Sequence, residues 1–433
     1  MFAAFVLLTT LIAATPLVAL ADGPAIQGIV AALSALAVAM TVRSIPPGES
    51  RYLSKVISPV MICLAVPAIW MAIQAAPMPL RGLVHPIWAS AEAALGKPLM
   101  GSISVDPGTT LVAITRYLTV VGIVLAAAGV TIDRRRAEMV LFWLAGATVL
   151  GGVMLIMHGL ANFSFVDESR DREAARSLMA GCVIGVPLSA AACGHMLERY
   201  ERRRTNPAMS LVGFGLIFAG CLGGLAICFA ALAYAGTTQL LLIAVCGLAI
   251  IVAVVIVRRA GVGGWFSLAS VATAVVIIAA LLSLRSGGNA DLTLRFADAP
   301  ARMIAITESL IADTPWSGSG AGTFAALLPI YRDVNDVAEG ASAPTAAAEI
   351  AVELGKPALW AIVAMTILAV AFLLHGALTR GRDSFYAAAV TSSIVVFALQ
   401  AFGGASVFAT SVVVLASAAF GLGIAQSLSR SLK

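Results

Sequence analysis

The sequence predicts an all-α, polytopic membrane protein of about twelve transmembrane helices, with a helical periplasmic loop between the ninth and tenth. Three observations predict it: an apolar composition with half the usual charge, apolar runs of membrane-crossing length, and arginines on alternate sides of those runs. Across 433 residues, 60% are hydrophobic, 11% are charged and the mean hydropathy is +0.99. Water-soluble domains carry about 25% charged residues. A chain with so few charges cannot keep this much apolar surface in water, so lipid is its solvent.

The runs fall near 2–21, 24–42, 57–76, 109–131, 139–159, 174–195, 208–232, 239–257, 266–284, 357–377, 385–402 and 405–427. Each approaches the ~20 residues that cross a hydrocarbon core at 1.5 Å per residue. The first run ends in Ala19-Leu20-Ala21 but no Lys or Arg precedes Arg43. A secretory signal needs a basic start, so the run is expected to persist as the first span. The division expected is 1–284 as a nine-span membrane region, 285–356 as the large loop, and 357–433 as a three-span region.

Sidedness comes from charge. With a cytoplasmic N-terminus, the inner segments collect sixteen Lys or Arg against six acids, and the outer segments ten against sixteen. The opposite orientation would put every arginine cluster outside, against the positive-inside bias. Both termini are therefore expected in the cytoplasm, and the basic pI of 9.0 reflects topology and anionic lipids rather than nucleic acid. The six cysteines sit in apolar stretches without CxxC spacing, and the four histidines are scattered. They imply packing residues and no metal site.

Inside the large loop, Asp298 and Pro300 signal a helix start, and Met303, Ile304, Ile306, Leu310 and Ile311 recur at helical spacing. That stripe predicts an amphipathic helix lying against the membrane surface and ended by Asp313-Thr314-Pro315. A second helix is expected from about 342–345 to Gly355, ahead of Pro357.

Chemistry-bearing residues are few. The spans contain almost no ionisable groups, and Arg116 is the exception, about two turns into the fourth span from the outer side. An intramembrane charge marks either a functional site or a side chain reaching for the headgroups. Arg170, Arg172 and Arg176 open the sixth span, the last two on one helix face. They suit a forked grip on a diphosphate, or a salt-bridged helix start among interleaved acids. Gly318, Gly320 and Gly322 alternate after Trp316; without a GK[ST] or a preceding strand they make no P-loop, only a backbone that turns tightly or approaches something closely. Arg332 follows, and Glu349 and Glu353 stand four apart on one helix face as a base or as partners for loop arginines. No mid-depth carboxylate exists to drive a pump, which argues against ion-coupled transport.

The order of these features, from Arg302 through Asp313-Thr314-Pro315-Trp316-Ser317-Gly318-Ser319-Gly320-Ala321-Gly322-Thr323-Phe324, Pro329-Ile330-Tyr331-Arg332, Ala343-Pro344-Thr345, Glu349 and Glu353-Leu354-Gly355, resembles the signature loop of the O-antigen ligase and polysaccharide polymerase superfamily. Ser104-Val105-Asp106-Pro107 before the fourth span and the twelve-span layout look like that family too.

The resemblance implies metal- and cofactor-independent glycosyl transfer at the outer face of a bacterial inner membrane. The donor would be a lipid-linked oligosaccharide on undecaprenyl diphosphate, whose leaving group arginines stabilise. Two positions depart from the pattern. The family's His-Asn falls on Pro344-Thr345, and its Ser-Arg-Gly falls on residues 234–239, which hold no arginine. The diphosphate grip is therefore assigned to Arg116, Arg170, Arg172, Arg176, Arg302 and Arg332, and the catalytic carboxylate to Glu349 or Glu353. The alternative is a non-catalytic component of a polysaccharide export assembly that binds lipid-linked glycan or a partner protein.

Overall fold

A computed structural model describes residues 1–44, 47–78, 82, 84–161, 168–203, 211–260, 291–332, 342–379 and 384–427. Every regular element in them is helical, and the chain is a polytopic α-helical membrane protein. Among the described residues, nine helices are long and apolar enough to cross a membrane. They are α3 (Pro24–Ser44), α6 (Pro107–Val130), α7 (Arg134–Ala161), α8 (Glu168–Arg203), α9 (Leu211–Tyr234), α10 (Thr238–Ala260), α14 (Lys356–Thr379), α15 (Ser384–Gly403) and α16 (Thr410–Ser427). All nine coincide with expected spans. The ninth expected span, 266–284, lies outside the described residues.

Two expected spans have more detail than a hydropathy run conveys. The first is divided into α1 (Phe2–Ala13) and α2 (Thr15–Leu20). Pro16 has no N–H for the Ile12 carbonyl, and the Thr15 hydroxyl donates to that carbonyl instead at 2.7 Å. The third is the apolar end, Val60–Ala75, of the long helix α4 (Pro47–Ala75).

The bundle is layered by burial. In α8, 83% of the apolar window is enclosed by protein, against 17% in α14. Helix α8 packs on α7, α9, α10 and α15, and α16 fills the other side of the core between α6 and α15. Leu8, Ile12, Leu141, Leu144, Ile184 and Leu188 meet there. The sparsely covered helices α3, α9 and α14 turn apolar faces outward, as lipid-facing helices do.

Four short helices lie between the spans. Helix α5 (Ile87–Leu95) precedes the fourth span and ends on Gly96 in the left-handed conformation. Helices α11 (Ala301–Asp313), α12 (Phe324–Tyr331) and α13 (Ala346–Glu353) make up the large loop. The stop at Asp313 and the second helix match expectation, with Thr345 as N-cap: its Oγ1 accepts the Ala348 N–H at 3.0 Å. The stripe of α11 does not lie on the membrane surface as expected. Met303, Leu310 and Ile311 pack against Phe324, Leu327, Leu328 and Val352, so the loop has its own core. Asp298 does not cap α11 either; Pro300 holds the cap position without a side-chain bond.

Candidate functional site

The glycine-rich segment is held in place by main-chain bonds and buried hydroxyls. Ser319 N–H donates to the Val352 carbonyl and Gly320 N–H to that of Glu353, both at 2.9 Å. On the other side, Val105 N–H donates to the Ser319 carbonyl at 2.8 Å. The segment is thereby clamped between the end of α13 and the approach to α6. Within it, Ser319 and Thr323 hydroxyls bond at 2.9 Å, and Thr323 Oγ1 donates to the Gly320 carbonyl at 2.6 Å.

Glycine is required here by conformation and by space. Gly318, Gly320 and Gly322 have φ of +76°, +107° and +80°, a region closed to most L-residues. A Cβ on Gly318 would overlap the Glu353 carbonyl oxygen and stand 2.7 Å from the Gly355 nitrogen; one on Gly320 would stand 2.8 Å from Ser104 Cα. The alternation read in the sequence is a close approach of three backbone strands, each too near its neighbour for a side chain.

The membrane bundle grips this segment from below. Gln74, fully buried at the carboxyl end of α4, donates from Nε2 to the carbonyls of Ser317 at 2.8 Å and Glu353 at 2.9 Å. Trp70, one turn earlier, donates to the Leu354 carbonyl at 3.0 Å. Thr110 near the start of α6 donates to the Ala321 carbonyl at 3.0 Å and shares a hydrogen bond with Ser104 at 2.8 Å. Asp106 caps α6 by accepting from Gly108 and Thr109, with Pro107 at the first helical position. Met71, Ala113, Ile114, Tyr117, Leu354 and Ile362 close an apolar cluster around Ala321.

Glu349 and Glu353 on α13, and Arg116 on α6, are chain neighbours of residues in that cluster. Glu353 is half-buried and fixed: its Oε1 accepts the Phe324 N–H at 3.2 Å, and its carboxyl also accepts from Gly322 N–H. It thus closes the amino end of α12 and ties it to α13. Glu349, one turn away and also half-buried, has no side-chain hydrogen bond among the described residues.

Burial pushes both carboxyls well above the usual range, Glu349 to about 8 and Glu353 to about 7. For Glu349 the charge of Glu353 adds to burial; for Glu353 two backbone N–H donors oppose it. Arg116 pulls both downward. The two acids titrate as a pair, and the N–H donors on Glu353 assign the shared negative charge to it and the proton to Glu349.

The remaining candidate residues are dispersed. Arg116 acts on both glutamates, yet it forms no ion pair within 4.0 Å and no hydrogen bond among the described residues. Arg172 and Arg176 are exposed on α8, which packs on α7, α9, α10 and α15 rather than on α13. Arg170 belongs to the same helix, and its side chain lies outside the described residues. Arg302 is exposed on α11, and Arg332 contacts the Met303 sulfur at 3.8 Å. The geometry therefore selects Arg116, Glu349 and Glu353 around Gly318, Gly320 and Gly322.

Gln74, Trp70 and Thr110 are the site residues that the sequence reading missed. A buried amide inside an apolar run was the available signal for Gln74.

Comparison with protein-family models, with curated proteins and with solved structures yields no match for this chain.

Proposed function

We propose that the protein is a twelve-span relative, in function, of O-antigen ligases and polysaccharide polymerases. In this reading it lies in a bacterial inner membrane with both termini cytoplasmic and transfers glycan from undecaprenyl diphosphate. The observation that carries the proposal is that the charge of Arg116 acts on Glu349 and Glu353 beside a glycine segment clamped by Gln74 of α4 and Thr110 of α6.

The chemistry follows from charge. As the acceptor oxygen bonds the anomeric carbon, the bond from that carbon to the diphosphate breaks and negative charge gathers on the departing oxygen. Arg116, a fixed cation whose charge acts on both glutamates, stabilises that charge. The acceptor hydroxyl must lose a proton, and the departing diphosphate gains one. Glu349, whose affinity for a proton is near neutral, relays between them. Glu353, fixed by Gly322 and Phe324, shapes the site.

The engagement of Glu353 by the backbone also favours a second reading, a non-catalytic binder of lipid-linked glycan within an export assembly. Chromosomal Glu349→Gln and Arg116→Ala separate the two. An enzyme loses surface glycan or its length distribution and accumulates lipid-linked glycan with either change. Unaltered glycan and no accumulation in the full deletion would end the polysaccharide reading altogether.

A further inference from the structure

The break in the first span borders a small polar cavity inside the bundle. It lies between α2, α7, α8 and α16, and its lining includes Thr15, Thr148, Gly151, Ser177, Gly181 and Ser411. Each lining residue is buried, and the cavity offers about 10 Å³ to the centre of a water-sized guest. That is close to the least room in which one water molecule fits. Two glycines make the room. A Cβ on Gly151 would come within 3.3 Å of Leu178 Cδ2, and one on Gly181 would stand 3.7 Å from Leu415 Cδ1; both leucines line the same cavity.

The four hydroxyls around it are not equivalent. Thr15 donates to the Ile12 carbonyl at 2.7 Å, Thr148 to that of Ala145 at 2.8 Å and Ser177 to that of Ala174 at 2.9 Å. With their protons committed to their own helices, these three oxygens have only lone pairs left to offer. Ser411, 4% exposed, is the opposite case: its Oγ has no hydrogen-bond partner among the described residues. A buried hydroxyl without a partner is costly, and most so within a membrane, where bulk water does not reach it.

We infer that this cavity binds one water molecule, which accepts the Ser411 O–H and donates to two of the Thr15, Thr148 and Ser177 oxygens. Water has two donors and a lone pair for the Ser411 proton, and about three bonds are usual for a buried water. Among the described residues no ionisable side chain lines the cavity. Ser411 also stands in the first turn of α16, at the positive end of that helix. Both facts disfavour a cation, the other guest that three lone pairs attract. A way in is present: Leu178 also borders a second, tighter cavity lined by His158 and Asp171, near the end of α7 and the start of α8.

The bound water has a structural consequence. Just past α2, the Asp22 carboxylate accepts from the Thr410 N–H at 2.9 Å and from the Thr410 hydroxyl at 2.8 Å, a contact across 388 residues of chain. Ser411 is the next residue. The first span and the last helix are thus tied twice, once directly and once through solvent, and α7 and α8 share the second tie.

The test is an X-ray map of the full chain crystallised from lipid, at a resolution where ordered waters are seen. In wild type a single peak is expected within about 2.5–3.0 Å of Ser411 Oγ and of two of the other three hydroxyl oxygens. Gly181→Ala adds a methyl that meets Leu415 at an ordinary contact distance, so the variant should fold and lose the peak. Ser411→Val removes the donor and fills part of the room; it should lose the peak too, and it serves where Gly181→Ala does not fold. Infrared spectra provide a second reading: a water stretching band that shifts in heavy-oxygen water should be present in wild type and missing from both variants. No peak at Ser411 in a wild-type map that shows waters elsewhere, or a peak and band that both variants retain, overturns the proposal. Density that continues into a lipid chain overturns it as well, as does a peak that gains anomalous signal when sodium is replaced by rubidium, which makes the guest a cation.

Discussion

Replacing Gly318 with alanine isolates the close backbone approach on which the site depends. Two costs arise. Holding an L-residue at the observed φ of +76° costs roughly 1–2 kcal/mol. The new methyl also meets the Glu353 carbonyl and the Gly355 nitrogen, main-chain atoms clamped by Gln74 and Gly320, so overpacking adds about 1–3 kcal/mol. Gly96 is the matched control: its φ is +61° and nothing stands within 4 Å of the position a Cβ would take. Gly96→Ala carries the strain and the unfolded-state gain of roughly 0.4–1 kcal/mol, but no clash. The difference between the variants is thus the overpacking alone, about 1–3 kcal/mol, or ~5- to 150-fold in a local opening equilibrium. Amide hydrogen exchange read by mass spectrometry in micelles measures it. In Gly318→Ala, exchange should rise by that factor over residues 316–324 and 352–355; in Gly96→Ala it should change only around α5. Equal, small effects in the two variants would refute the claim that the three backbone strands are in contact.

Two further outcomes follow from the same geometry. Gln74→Leu keeps the volume but strands the Ser317 carbonyl, while that of Glu353 keeps the Gly320 N–H; the loss is about 1–3 kcal/mol, so limited proteolysis should cleave the large loop at least ~5-fold faster while the spans stay intact. Arg172→Ala and Arg176→Ala, exposed on α8 away from α13, should leave thermal stability within about 0.5 kcal/mol and diphosphate binding within about twofold; a loss comparable to that of Arg116→Ala would place them in the site.

The membrane fold was legible because lipid imposes one requirement on every span. Backbone groups must be satisfied within the segment, so length and apolarity alone located α3, α6 to α10 and α14 to α16. Local exceptions were harder. The break between α1 and α2 depends on Pro16 and a Thr15 hydroxyl bond, which a hydropathy run does not register. Helix α12 was passed over because its eight residues include Pro329, which reads as a breaker. The stripe on α11 was correctly periodic, but periodicity does not say what the stripe meets. A membrane surface and a local core of Phe324, Leu327 and Val352 demand the same pattern.

In the site, the sequence exposed groups whose presence is costly and concealed those whose role is positional. Arg116 stood out because a charge within a span is rare, and the glycines because alternate glycines restrict the backbone to unusual shapes. The arginines of α8, α11 and the end of α12 had equal chemistry but no such cost, and the fold leaves them apart. Glu349 and Glu353 were indistinguishable as a pair four residues apart. What separates them is the amino end of α12, an element the sequence did not disclose: the Phe324 N–H takes Glu353 as its acceptor, whereas Glu349 has no side-chain hydrogen bond among the described residues. The division of labour between two identical side chains therefore comes from the amino end of α12 at Phe324, and from the +80° φ of Gly322 that turns its own N–H toward the same carboxyl.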